Sequence, residues 1–153
     1  MKSRASKIAA VIYILWGLLH VTGGAVLLNA SLSGFGEFAE ALASKPETPS
    51  INYSGENNIT KWVFAFHSFN IMWIGLLTIL IAVFLNWKNS PSGYWINIAL
   101  TGFADLGLIF FMVIPDVMSI SEAWIGPVLF VLSVLFSTIG RLQIRNERLA
   151  MNF

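Results

Sequence analysis

The sequence contains no cysteine and few charged residues. Of its 153 residues 11% are charged, whereas a soluble domain usually carries about 25% charged residues. The missing cysteines exclude disulfide scaffolds, thiolate metal sites and cysteine nucleophiles. Nine Lys and Arg against eight Asp and Glu give a net charge of +1. No overall field therefore favours a nucleic acid or another polyanion as partner.

Several catalytic motifs are absent as well. The sequence holds no Gly-rich phosphate loop, no His-Glu-x-x-His and no Gly-x-Ser-x-Gly, so ATP hydrolysis, zinc proteolysis and serine esterase chemistry have no support. The chain also lacks the paired repeats that a transporter fold would show.

Apolar residues are abundant instead. They make up 56% of the chain, and the mean hydropathy is +0.73. A helix needs roughly 20 apolar residues to cross a bilayer core, and four stretches meet or approach that length. We therefore predict an all-α fold, a single integral membrane four-helix bundle over residues 1–153 with a long outer loop at 29–61. The predicted spans are 8–28, 62–87, 94–114 and 123–140.

The basic residues predict the orientation of this bundle. Seven of the nine Lys and Arg residues fall on one side of the predicted membrane, and most acidic residues fall on the other. The positive-inside rule makes the basic side cytoplasmic, so we expect both termini inside the cell. An outer loop of this length without cysteine favours the inner membrane of a bacterium as the location. The seven basic residues are Lys2, Arg4, Lys7, Lys88, Arg141, Arg145 and Arg148.

One part of the outer loop has a helical pattern. In residues 34–44, Phe35, Phe38 and Leu42 recur at helical spacing. We expect a short amphipathic helix that lies on the outer membrane surface or caps the bundle.

Three ionisable residues lie inside the spans: His20, His67 and Asp105. Counted from the predicted boundaries at 1.5 Å per residue, they lie about 12, 7.5 and 13.5 Å below the outer surface. We therefore expect one polar pocket in the outer leaflet. An ionised Asp at this depth costs several kcal/mol unless it is paired or protonated, and either histidine is the expected partner. Residues predicted to line the pocket from the same helix faces are Trp16, Gly17, Gly24, Asn70 and Thr101.

Several chemistries fit His20, His67 and Asp105. Two His and one carboxylate match the ligand set of an iron site and also suit zinc, and the two histidines match bis-His haem ligation. A His–Asp pair also suits acid–base catalysis on a lipid, quinone or isoprenoid-like substrate. Hydrogen bonding between helices without any cofactor, and ion conduction through an oligomer, are the remaining alternatives.

The order of these features resembles a group of small bacterial four-span membrane proteins. The resemblance rests on Trp-Gly-Leu-Leu-His-Val-Thr-Gly-Gly at 16–24 and Phe-His-Ser-Phe-Asn-Ile-Met-Trp-Ile-Gly at 66–75, separated by a long loop. It implies a four-span fold and carries no assigned activity.

Two functions are therefore expected. The first is a small binding or accessory subunit in the lipid bilayer, with an apolar small molecule, a membrane-protein partner or a second copy of the chain as its partner. The alternative is a membrane-embedded enzyme that uses His20, His67 and Asp105 as metal ligands or as acid–base groups.

Overall fold

The structure is a computed structural model that describes residues 3–42 and 58–150. These residues form helices and short connections, without a strand among them. Four segments are long and apolar enough to cross a membrane: Arg4–Ser33, Ile59–Lys88, Pro91–Val113 and Ile125–Glu147. The helices are α1 (Arg4–Ser33), α2 (Phe35–Leu42), α3 (Asn58–Phe84), α4 (Pro91–Leu108), α5 (Ile120–Ala123) and α6 (Ile125–Ala150), with a 3₁₀ turn at Asn86–Lys88 and a π-helical turn at Ile109–Val113. The prediction of four spans is confirmed.

The surface and interior of the bundle have the polarity of a membrane protein. Large apolar side chains are exposed along every span, such as Trp62, Phe66, Phe69 and Trp73 on α3. Small polar side chains such as Thr78, Thr101 and Ser133 are fully buried. An exterior of this kind is favourable only where lipid replaces water. The chain is therefore a multi-pass membrane protein.

α1 packs mainly against α3 and α6. Glycines bring the backbones of α1 and α3 together, because a Cβ on Gly17 would lie 2.7 Å from the Gly75 carbonyl oxygen and a Cβ on Gly75 would lie 2.6 Å from the Gly17 oxygen. A Cβ on Gly24 would lie 2.9 Å from the Ser68 oxygen. Small residues at a crossing allow this close approach in membranes.

The start of α1 and the later part of α6 lie at the same end of the bundle. Ser3 Oγ donates a hydrogen bond to Gln143 Oε1 at 2.6 Å. Asn89, between α3 and α4, donates from Nδ2 to the Gly140 carbonyl at 2.8 Å. Most of the basic residues named above are close neighbours of Ser3, Asn89 and Gln143 in the sequence. We therefore call the end marked by these three residues the basic end.

The connection between α3 and α4 is tighter than the sequence predicts. Asn89 is left-handed at φ 58° and ψ 39°, a conformation that Asn adopts more readily than most residues. Pro91 begins α4, three residues before the predicted start at Tyr94, because a proline fits the first helical position, where no N–H is needed.

α2 covers the other end of α1 and α3. Gly34 separates α1 from α2 with φ 154° and ψ 170°, a region open essentially to glycine. Phe38 is 2% exposed and packs with Leu27 and Ala30, and its ring stacks on Phe64 at 4.3 Å. The predicted short helix is thus confirmed as far as Leu42, and it packs on the bundle. The rest of the predicted outer loop up to residue 57 lies outside the described residues.

Candidate intramembrane polar site

Asp105 is buried and receives its hydrogen bond from a tryptophan. The residue as a whole is 3% exposed. Trp16 Nε1 on α1 lies 3.1 Å from Asp105 Oδ2 and 3.4 Å from Oδ1. The sequence predicted a histidine as the partner of Asp105, and the structure corrects this. The indole N–H is a donor only, so Trp16 gives the buried carboxyl group of Asp105 a hydrogen-bond donor.

His20 lies one helical turn after Trp16 and is half-buried. The two rings stack with centroids 3.6 Å apart and planes 18° from parallel. His20 Nδ1 lies 2.9 Å from the Trp16 carbonyl oxygen. A carbonyl oxygen only accepts, so Nδ1 carries the hydrogen in this contact. Nε2 makes no hydrogen bond to any residue in 3–42 or 58–150. We call Trp16, His20 and Asp105 the polar cluster.

The beginning of α6 closes over the polar cluster. A Cβ on Gly126 would lie 2.9 Å from Asp105 Oδ1 and 3.8 Å from His20 Cε1. The absence of a side chain at Gly126 therefore lets the α6 backbone approach Asp105 and His20 together. The polar cluster thus lies where α1, α4 and α6 meet.

His67 lies apart from the polar cluster. Gly75 of α3 is the residue opposite His20, because a Cβ on Gly75 would approach His20 Cβ to 3.0 Å. His67 precedes Gly75 by eight residues, or about 12 Å along the helix, and its side chain is exposed. The expectation of one shared layer holds for His20 and Asp105 but not for His67. The physical reason is that the crossing of α1 and α3 sets the register between the helices, and hydropathy does not reveal that register.

The ligand sets predicted for metal and haem are therefore not assembled in the part of the chain that the structure describes. Residues 3–42 and 58–150 contain no group of three or more His, Cys, Asp or Glu side chains that could hold a metal ion. The two histidines do not converge either, since His20 faces Asp105 and Gly126 while His67 is exposed.

The other predicted pocket residues have different positions. Gly17 and Gly24 lie against α3, so they serve the helix crossing and leave no room there for a ligand. Asn70 is half-buried on α3. Thr101 is buried one turn before Asp105 and donates to the Asn97 carbonyl at 2.6 Å.

A buried polar row continues from the polar cluster along α4. Asp105, Thr101 and Asn97 recur every four residues on one face, and all three are buried. Asn97 Nδ2 donates to Asn86 Oδ1 at 2.9 Å, which extends the row to the turn after α3. Asn97 Oδ1 and the nearby Thr78 Oγ1 have no hydrogen-bond partner among the described residues. Such atoms are the usual partners of ordered water.

Comparisons with protein-family models, with curated proteins and with solved structures find no match to this chain.

Two parts of the site were not predicted from the sequence. Trp16 was expected to line a pocket, and its role as the donor to Asp105 was missed. Its mid-span position, four residues before His20 on the same helix face, was the available signal. The role of Gly126 could not be recognised in the sequence, because it depends on where α6 crosses α4.

Proposed function

We propose that this protein is a small integral membrane binding protein or accessory subunit whose polar cluster holds the polar group of an otherwise apolar molecule. The observation that carries the proposal is the fixed ring of His20. That ring is stacked on Trp16 and bonded through Nδ1, while Nε2 has no partner among the described residues.

The cluster is preorganised as an acceptor. The stack and the Nδ1 contact hold the imidazole in one orientation before a ligand arrives, which lowers the entropy cost of binding. A neutral His20 with hydrogen on Nδ1 accepts at Nε2, and the Asp105 carboxylate also accepts. The matching ligand group is a hydroxyl or another donor, as found on lipid and isoprenoid alcohols and on quinols.

We further propose that both termini face the cytoplasm and that the membrane is a bacterial inner membrane. The hydrogen bonds of Ser3 and Asn89 gather the basic segments of the chain at one end of the bundle. An excess of Lys and Arg on one side of the spans supports a cytoplasmic position for that side.

A second candidate is an enzyme that uses His20 as a general base. The closeness of His20 and Asp105 beneath Gly126 favours it, because a base near a carboxylate suits proton transfer to or from a bound hydroxyl. In that case His20→Ala removes turnover and preserves the fold. Binding without turnover favours the first candidate.

The test is to identify the small molecules that co-purify with the full chain in mild detergent. We expect one apolar, hydroxyl-bearing compound in stoichiometric amount with the wild type, and at least tenfold less with His20→Ala and with Asp105→Asn. His67→Ala is the matched control, because it removes the same side chain from an exposed position on α3. Mass spectrometry of the organic extract gives the readout.

Equal amounts of every extracted compound in wild type, His20→Ala and His67→Ala would overturn the binding proposal. An optical spectrum and elemental analysis of the same preparations test the metal and haem alternatives. A Soret band would support haem bound by the two histidines. Stoichiometric iron or zinc that His67→Ala removes would support the metal site predicted from His20, His67 and Asp105.

A further inference from the structure

A second site lies at the basic end, far along the bundle from the polar cluster. A cavity of about 400 Å³ opens there between the α3–α4 connection and α6. Lys88, Arg141 and Arg145 line it, and no acidic residue is among its lining residues. Three cations around one cavity create a local positive field although the whole chain carries a net charge of only +1.

Among residues 3–42 and 58–150, no acidic side chain lines the cavity to neutralise its positive charge. Arg141 donates from Nη1 to the Asn89 carbonyl at 3.4 Å, and its guanidinium lies 6.0 Å from the centre of the Tyr94 ring. These contacts orient Arg141 and leave most of its five N–H donors available. An oriented guanidinium with free donors is suited to a phosphate oxygen pair.

Aromatic residues beside the cavity indicate that it lies at the depth of lipid headgroups. Trp87 and Tyr94 stand on either side of the α3–α4 connection, and such aromatic residues mark the boundary between the membrane and water. Leu142 and Ile144 add apolar lining beside the cations. A ligand with both a phosphate and an apolar part fits this lining better than a free anion does.

We propose that this cavity binds the phosphodiester headgroup of an anionic phospholipid, with Arg141, Arg145 and Lys88 around the phosphate. Basic cavities between spans at the cytoplasmic side are known to hold acidic headgroups. Inorganic phosphate shares the chemistry of the headgroup, and the experiment distinguishes the two.

The test measures lipid retention by native mass spectrometry of the full chain in detergent, with phosphatidylglycerol and phosphatidylcholine offered at equal concentration. We expect the wild type to retain phosphatidylglycerol preferentially. Removing one cation should weaken retention about fivefold in Arg145→Gln and about 25-fold in the double variant Lys88→Gln/Arg145→Gln. Arg145→Lys should restore most of it.

Arg4→Gln is the matched control, because Arg4 is exposed at the start of α1 and does not line the cavity. An equal loss in Arg4→Gln and Arg145→Gln, or no preference for phosphatidylglycerol in the wild type, would overturn the proposal. Inorganic phosphate is titrated separately. If phosphate alone raises the melting temperature as much as phosphatidylglycerol does, the cavity is a free-anion site and the phospholipid proposal fails.

Discussion

At the scale of single residues, the hydrogen bond from Trp16 to the buried Asp105 is the contact whose loss can be tested most directly. A carboxylate at this depth has lost its contacts with water. Leaving it without a hydrogen-bond donor as well costs about 1–3 kcal/mol of stability or more. Trp16→Phe keeps an aromatic ring against His20 and removes the only hydrogen-bond donor to Asp105 among the described residues. We expect Trp16→Phe to lower the free energy of unfolding by that amount, measured by denaturant titration in mixed micelles.

The matched control for this variant is Trp124→Phe. Trp124 is 53% exposed, so its replacement should change the free energy of unfolding by less than about 0.5 kcal/mol. Adding Asp105→Asn to Trp16→Phe should recover part of the lost stability. A buried neutral amide without a hydrogen-bond donor is less unfavourable than a buried carboxylate without one. Equal stability of Trp16→Phe and the wild type would show that the bond contributes nothing.

At the scale of the helices, the crossing of α1 and α3 sets the position of the site. A Cβ on Gly75 would lie 2.6 Å from the Gly17 oxygen and 2.9 Å from the Val21 nitrogen, and both are backbone atoms that cannot rotate away. Gly75→Ala should therefore separate the helices and cost about 1–3 kcal/mol of stability. Thermal unfolding in detergent measures the loss.

Gly107→Ala provides the comparison for this helix variant. A Cβ on Gly107 meets nothing within 4 Å, so this substitution should leave the melting temperature unchanged or raise it slightly through the better helix propensity of Ala. If Gly75→Ala and Gly107→Ala unfold at the same temperature, the close approach of α1 and α3 is not what holds the two helices.

The helices also show how far the sequence predicts the structure. The four spans follow from apolar length alone, because a helix must satisfy its backbone inside lipid. The position of His67 relative to His20 does not follow, because it depends on the contact between Gly17 and Gly75. Asp105 was recognised as a residue that needs a partner and Trp16 was predicted to line the pocket, yet the sequence did not predict that Trp16 is the donor to Asp105.

At the scale of the whole molecule, one end of the bundle is basic and the other is covered by α2. Hydrogen bonds from Ser3 to Gln143 and from Asn89 to Gly140 fix the basic end as a unit. If that end faces the cytoplasm, the cavity lined by Lys88, Arg141 and Arg145 lies in the leaflet where the negative surface potential attracts Lys and Arg. The orientation therefore links the charge distribution to the second proposed site.

The absence of cysteine allows a direct measurement of this orientation. Glu37→Cys places one thiol on an exposed position of α2, and Ala150→Cys places one at the end of α6. In intact bacterial cells, a membrane-impermeant maleimide should label Glu37→Cys and should label Ala150→Cys only after permeabilisation. The wild type is the unlabelled control. The reverse pattern would place the basic end outside the cell. The cavity would then lie in the outer leaflet, on the side where the positive-inside rule does not expect an excess of Lys and Arg.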